Sequence, residues 1–306
     1  MRCECVDVMM ANDTPTRRVR VELRGGLGNQ LFQAATGLSL AKRLQAQLQF
    51  ELFAYRSESL RGFALTPFSH GADLINTKRS PAGRVLRHLG KVLPNGWFSV
   101  APNWRGSILQ EHDYAYDERI EHVSSDCYLR GYFQSWRYFA QDPGLIRRAF
   151  DPAQAASPTA RDYAASMGDN ALSIHVRVGD FLQNKIANEI HGILGADYYE
   201  RALKVARKAG YGDRLFCFSD NPWHARKLLG DYKGVTFVEG LSQYDDLFLM
   251  SGARGHIIAN STFSYWAAWL DGKTDALVIS PRAWLMPKAL KTTYIGDLYP
   301  PGWIML

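Results

Sequence analysis

HIIANSTFSYWAAWL, residues 256–270, reads as a strand, a turn and a helix. His256–Ala259 is apolar enough for a strand buried on both faces. Asn260-Ser261-Thr262 carries side chains that open helices, and Thr262–Leu270 continues with large apolar residues at helical spacing. The unit recurs outward from it. Upstream are strands at Leu172–Val176, Arg214–Phe218 and Val235–Val238, each followed by a helical pattern, at Ala196–Ala209, Pro222–Leu229 and Gln243–Ser251; downstream is a last strand at Ala276–Ile279. Strands alternating with helices predict a parallel sheet with helices on both faces.

The first half follows the same grammar less regularly. Arg18–Arg24 alternates as a half-buried strand, Gly25-Gly26-Leu27-Gly28 breaks it, and a helix follows through Leu31, Phe32, Ala35, Leu38 and Ala41. Leu48–Leu52 and Cys127–Phe133 read as strands, with short helices at 136–139 and 144–150. Residues 54–115 are rich in Pro, Gly and Ser; their one helical piece, 82–93, carries Val85, Leu86, Leu89, Val92 and Leu93 on one stripe. Asp151–Pro158 has the composition of a linker. The expected organisation is a disordered leader over 1–17, a first domain over 18–155 and a second over 156–306.

Composition narrows the class. No stretch reaches the ~18 uninterrupted apolar residues of a membrane span, and the first residues carry Glu4, Asp7 and Asp13 in place of an apolar signal segment. A cytoplasmic protein is expected. Cys3, Cys5, Cys127 and Cys217 include no Cys-x-x-Cys pair, so reduced thiols are expected. The first 105 residues hold 15 Lys/Arg against 7 Asp/Glu, and the remainder hold 21 against 23. That basic excess suits an anionic membrane, a phosphorylated acceptor or simple solvation. It is not interleaved with aromatics as a nucleic-acid platform would be.

In an open parallel sheet, ligands bind at the carboxyl ends of the strands. Those ends read His175-x-Arg177-x-x-Asp180, Ser219-Asp220-Asn221, Glu239-Gly240, Asn260-Ser261-Thr262 and Ser280-Pro281-Arg282. Asp220-Asn221-Pro222 and Asn260-Ser261 also serve as helix caps, and a lone His175 is more often a core histidine. Arg177 differs, because an arginine at the mouth of an apolar strand needs an anionic partner. A diphosphate is favoured over an internal carboxylate. The chain has no Asp-x-Asp motif, so neither a metal nor a cofactor is expected, and Asp245-Asp246 reads as capping or solvated. Arginine and the helix N-terminus at 260–262 would hold the phosphates instead. The Gly25–Gly28 loop lets a ligand approach the backbone. Its spacing is not Gly-x-Gly-x-x-Gly and no acid lies between Glu22 and Glu51, which argues against a dinucleotide.

GGLGNQLFQ (25–33), GYFQSWRYF (131–139), SIHVRVGDF (173–181), HGILGADYY (191–199), FSDNPWHAR (218–226) and DLFLMSGARGHIIANSTFSYWAAWL (246–270) resemble, in order and spacing, the bacterial α-1,2-fucosyltransferases of glycosyltransferase family 11. The resemblance covers about 18–285 and is weakest over 55–120. It implies an α/β protein of GT-B type, two Rossmann-like domains whose parallel sheets face across a cleft, with the acceptor mostly on the first and GDP-fucose mostly on the second. His175, Arg177 and Asp180 match the family's His-x-Arg-Arg-x-Asp; its second Arg is Val178 here, its final Tyr is Phe181, and its tandem tryptophans are Tyr265-Trp266.

The resemblance further implies inverting transfer of fucose to the 2-hydroxyl of a galactose. Arg177 would clamp the diphosphate. Asn29, with Gly26 and Gly28, would meet the donor phosphate or fucose, and Asp220, Asn260, Ser261 and Thr262 would hold GDP. Asp180 is read equally as base and as structural partner of Arg177; His175 either bonds the donor or orients Arg177. The expected partners are GDP-fucose and a galactose-terminated or lipid-linked glycan such as an O-antigen, with peripheral membrane contact through 78–93. A fucosyltransferase for another acceptor, or a sugar-binding protein of the same fold, are the alternatives.

Overall fold

The computed structural model describes residues 17–56, 62–76, 104–111, 113–179, 189, 192–273, 275–286 and 294–306. The expected helix at 82–93, the basic segment 78–93 and Asp180 lie outside the described residues.

Two parallel sheets form the molecule. The first takes β1 (Arg18–Glu22), β2 (Gln47–Glu51), β3 (Asp73–Ile75), β4 (Ser107–Gln110) and β5 (Cys127–Arg130) in the order β3-β2-β1-β5-β4. Every neighbouring pair is parallel. Helix α1 (Leu27–Leu44) crosses over between β1 and β2, its apolar face buried and its last turn basic with Lys42 and Arg43, which suits the helix dipole. Helix α2 (Pro143–Ala149) follows β5, capped by Asp142 on the Leu145 N–H.

The Asp151–Pro158 segment is more structured than a linker. Asp151 caps a short 3-10 turn over Pro152–Gln154, and Ser157 then caps α3 (Pro158–Met167). The Ser-Pro pair is itself a helix start, with proline at the first helical position where its missing N–H costs nothing.

The second sheet matches its expected elements closely. It contains β6 (Leu172–Val176), β7 (Leu215–Ser219), β8 (Val235–Val238), β9 (Gly255–Ile257), β10 (Leu277–Ser280) and a short β11 (Ile304–Met305), ordered β11-β10-β9-β6-β7-β8. Its crossovers include α4 (Ala196–Lys208), α5 (Pro222–Leu229), α6 (Gln243–Gly252) and α7 (Thr262–Asp271). Ser242 and Asp245 form a capping box that starts α6.

The sheets change at the middle of the chain, but the apolar core does not divide there. Helix α7 is buried from Ser264 to Leu270, and a helix apolar all round must be covered on more than one side. The second covering comes from the first half. Phe32 of α1 lies 4.7 Å from Tyr265 and 5.1 Å from Trp266, ring centre to ring centre, and Phe139 lies 5.2 Å from Trp266 and 5.1 Å from Trp269. Each such pair adds about 1 kcal/mol to the burial itself. The Tyr265-Trp266 pair is thus a packing element.

Candidate functional site

The start of α1 and the start of α7 meet. A Cβ on Gly28 would overlap the Thr262 carbonyl group and lie 2.5 Å from the Phe263 nitrogen, so glycine is what lets the two helix N-termini abut. Neither N-cap residue, Gly26 of α1 or Ser261 of α7, closes its helix with a side-chain hydrogen bond. Two sets of first-turn N–H groups and two positive dipole ends therefore converge on one place. That place is a cleft of about 490 Å³. Within the described residues, the candidate site residues line it, Gly26, Gly28 and Asn29 from the first half and His175, Arg177, Asp220, Asn260, Ser261 and Thr262 from the second, whereas the strand ends Glu239-Gly240 and Ser280-Pro281-Arg282 do not.

Asn29 joins the halves. Its Oδ1 accepts from Gln134 Nε2 at 3.1 Å and from the Thr262 hydroxyl at 2.9 Å. With the carbonyl occupied, the amide NH2 is the end able to donate to a ligand. Gly25 makes room for it, since a Cβ there would lie 2.6 Å from Asn29 Nδ2. The glycine loop, read as open backbone for a ligand, serves two packing needs as well.

Arg177 follows β6 and meets Asp220, which follows β7: Nη1 to Oδ2 is 2.5 Å. The other oxygen, Oδ1, accepts the Val178 and Gly179 N–H groups at 3.0 and 3.1 Å. The internal carboxylate that the sequence reading ranked second is present, and it does not remove Arg177 from the cleft. Asp220, expected on GDP, has both oxygens engaged by the protein. The strand's alternation continues past its end. His175 and Arg177 face the cleft, while Val176 and Val178 are fully buried in the core of the second sheet. Valine at 178 therefore removes no charge from the cleft.

His175 is almost fully buried in the cleft wall. Burial takes its pKa down to about 4, Asp220 pulling it up and Arg177 down, so its imidazole is neutral near pH 7. Among the described residues its Nδ1 atom has no hydrogen-bond partner. The Asn260 amide donates to the Gly192 carbonyl at 3.2 Å, holding the segment that precedes α4.

The cleft also contains Tyr114, Tyr132, Gln134, Gln243, Asp246 and Trp284, none of which was singled out in the sequence as a site residue. Asp246 corrects the reading of the acid pair as capping or solvated. Asp245 is the cap, but Asp246 turns into the cleft, where burial and the neighbouring Asp245 raise it to about 7. The signal was available: Ser242-x-x-Asp245 already completes the capping box, leaving the second acid surplus at a strand end. Such a carboxyl accepts hydrogen bonds from a base edge or a sugar hydroxyl. Among the described residues, no three His, Cys, Asp or Glu side chains are grouped to hold a metal, and no helix is long and apolar enough to cross a membrane.

Known proteins are similar to this chain in sequence. An α-1,2-colitosyltransferase of Escherichia coli is 27% identical over 297 residues, covering 94% of this chain and 98% of its own. The Escherichia coli O-antigen biosynthesis glycosyltransferase WbnK is 28% identical, over 86% of this chain and 93% of its own. The human galactoside α-(1,2)-fucosyltransferase 1 is 27% identical over 81% of this chain and 64% of its own. The sequence profile of the family described as Glycosyl transferase family 11 matches residues 111–306, which contain the whole second sheet and the cleft residues from Tyr114 to Trp284. The chain belongs to glycosyl transferase family 11.

Proposed function

We propose that the protein transfers L-fucose from GDP-β-L-fucose to the 2-hydroxyl of a terminal galactose, with inversion, in building a glycan such as an O-antigen. The observation that carries this reading is the meeting of two helix N-termini beside Arg177. Two dipole ends, first-turn N–H groups and a guanidinium together suit a diphosphate, and they suit it most as it departs and its charge grows. The names of the relatives support an α-1,2 linkage, O-antigen synthesis and a galactoside acceptor.

Inversion is a single displacement. The anomeric carbon loses GDP while the acceptor hydroxyl attacks from the opposite face, so no covalent enzyme intermediate forms. Arg177, held by Asp220, takes up the charge of the leaving diphosphate. Asn29 donates its NH2 to the donor phosphate or sugar. Neutral His175 offers a hydrogen bond without adding charge. Asp180 is the base candidate in the motif; a weak base suffices if departure of GDP leads attack.

A second donor is favoured by the Escherichia coli relative: colitose, which is fucose without its 3-hydroxyl. The purified protein should be given GDP-fucose and GDP-colitose in parallel with a panel of β-galactosides. The fucose reading requires an α-1,2-fucosyl product by NMR and a higher kcat/KM for GDP-fucose. Preference for GDP-colitose would replace the donor, and no transfer from either would reject the reading.

A further inference from the structure

On the first sheet's side of the cleft, Tyr132 and Gln134 stand in the turn after β5, with Tyr114 beyond β4. Glu111, the residue after β4, holds that turn from behind. Its own N–H continues the ladder to the Arg130 carbonyl at 2.9 Å. Its carboxyl oxygen Oε2 accepts the Tyr132 N–H at 2.5 Å, while Oε1 is buried with no hydrogen-bond partner among the described residues.

The turn is built around that carboxylate. A Cβ on Gly131 would lie 2.6 Å from Glu111 Oε2, so only glycine admits it. Phe133 has a φ of 53°, in the left-handed region that a bulky residue rarely occupies, and its ring is sunk in the core 5.3 Å from that of Tyr138. Gln33 of α1 fixes the turn from the other side, donating to the Gly131 carbonyl at 2.9 Å. Phe133 is thereby driven inward, and its neighbours Tyr132 and Gln134 are delivered to the cleft. Backbone held in a costly conformation beside a cleft points to a use for what it presents. Gln134 is engaged by Asn29. Tyr132 remains 36% exposed, a large ring on the cleft rim.

We propose that Tyr132, with Tyr114, is the platform on which the acceptor sugar stacks, and that Glu111 is the positioning residue that sets it. This rests on the transferase reading above. The axial 4-hydroxyl of a galactopyranose leaves its C–H groups at C3, C4 and C5 on one face, and that face packs on an aromatic ring. The hydroxyls at its edge then meet phenol and amide groups. The donor is gripped by charge on the second sheet's side; the acceptor is chosen by shape and a ring on the first.

The test combines saturation-transfer NMR of methyl β-galactoside on the GDP-loaded protein with separate KM values for acceptor and donor. Tyr132→Ala should raise the acceptor KM by about tenfold and abolish saturation of the galactose C–H protons, while GDP affinity is kept. Tyr132→Phe, which keeps the ring, should retain both. Glu111→Gln should raise the acceptor KM with the donor KM held, and its melting curve reports whether it is folded. An unchanged acceptor KM and saturation pattern in Tyr132→Ala overturns the platform. An unchanged acceptor KM in folded Glu111→Gln overturns the positioning role. Galactoside saturation in a wild-type protein that transfers from neither nucleotide sugar would instead reject the donor reading and leave the platform standing.

Discussion

Each sheet ties its central strands together at their carboxyl ends with arginine and carboxylate, and the two ties differ in where they face. In the first, Glu22 ends β1. It takes Arg24 on one oxygen and Arg130, at the end of β5, on the other at 2.9 Å, with the Tyr128 hydroxyl donating at 3.2 Å. Burial alone would push the Glu22 carboxyl up, but Arg24 and Arg130 hold it below the usual carboxylate range. In the second, Arg177 and Asp220 join β6 to β7. The first tie is away from the cleft; the second lines it. An ion pair is weak evidence of function by itself. What separates these two is that one borders a space where an anion fits.

The largest effect expected is on turnover. Arg177→Ala should lower kcat at least a hundredfold in a folded protein, about 3 kcal/mol of transition-state stabilisation, and Arg177→Lys should restore only part of it. Steady-state rates beside circular dichroism decide this; near-normal rates would make the second tie as structural as the first. Next is Glu22→Ala, which removes the carboxylate that Arg24 and Arg130 share. It should cost roughly 2–3 kcal/mol in urea unfolding while kcat per folded molecule holds. A rate loss comparable to that of Arg177→Ala would erase the contrast.

A smaller effect separates the ties by pH. His175 belongs to the second alone, with a folded pKa of about 4. The unfolded value is ~6.5, so the unfolded chain takes up the proton first. The contribution of His175 is full above about pH 6.5 and should fall by roughly 1.4 kcal/mol per pH unit from there down to about pH 4. Buried His256, bonded to Ser173 and Asp271 and likewise lowered by burial, acts in the same direction. Melting temperatures across this range should fall less steeply for His175→Gln than for wild type; equal slopes would place His175 outside the acid response. The smallest effect is none. With arginine and helix N-termini on the diphosphate, EDTA should leave transfer unchanged, and activity lost to EDTA and restored by Mn²⁺ would mean the phosphates are held another way.

The second sheet was legible because a strand buried on both faces, such as Leu172–Val176, is an unbroken apolar run, and the polar residues at its end stand out. The first sheet was harder. β3 and β4 have three and four residues, and Ile108 of β4 is exposed, so neither leaves a clear pattern. Glu111 was invisible for another reason. Its partners lie some twenty residues on, and only the parallel pairing of β4 with β5 brings them together. Val178 shows a local rule carried too short a distance: alternation applied two residues beyond the strand would have sent it to the core.

The sharing of α7 has a consequence for synthesis. The first half leaves the ribosome with Phe32 and Phe139 lacking the aromatic faces that cover them, because Tyr265, Trp266 and Trp269 lie at the far end of the chain. At ~5–20 residues per second the roughly one hundred intervening residues take on the order of ten seconds to appear. Throughout that interval the nascent chain exposes an apolar seam, and its folding waits on the helix that also completes the cleft.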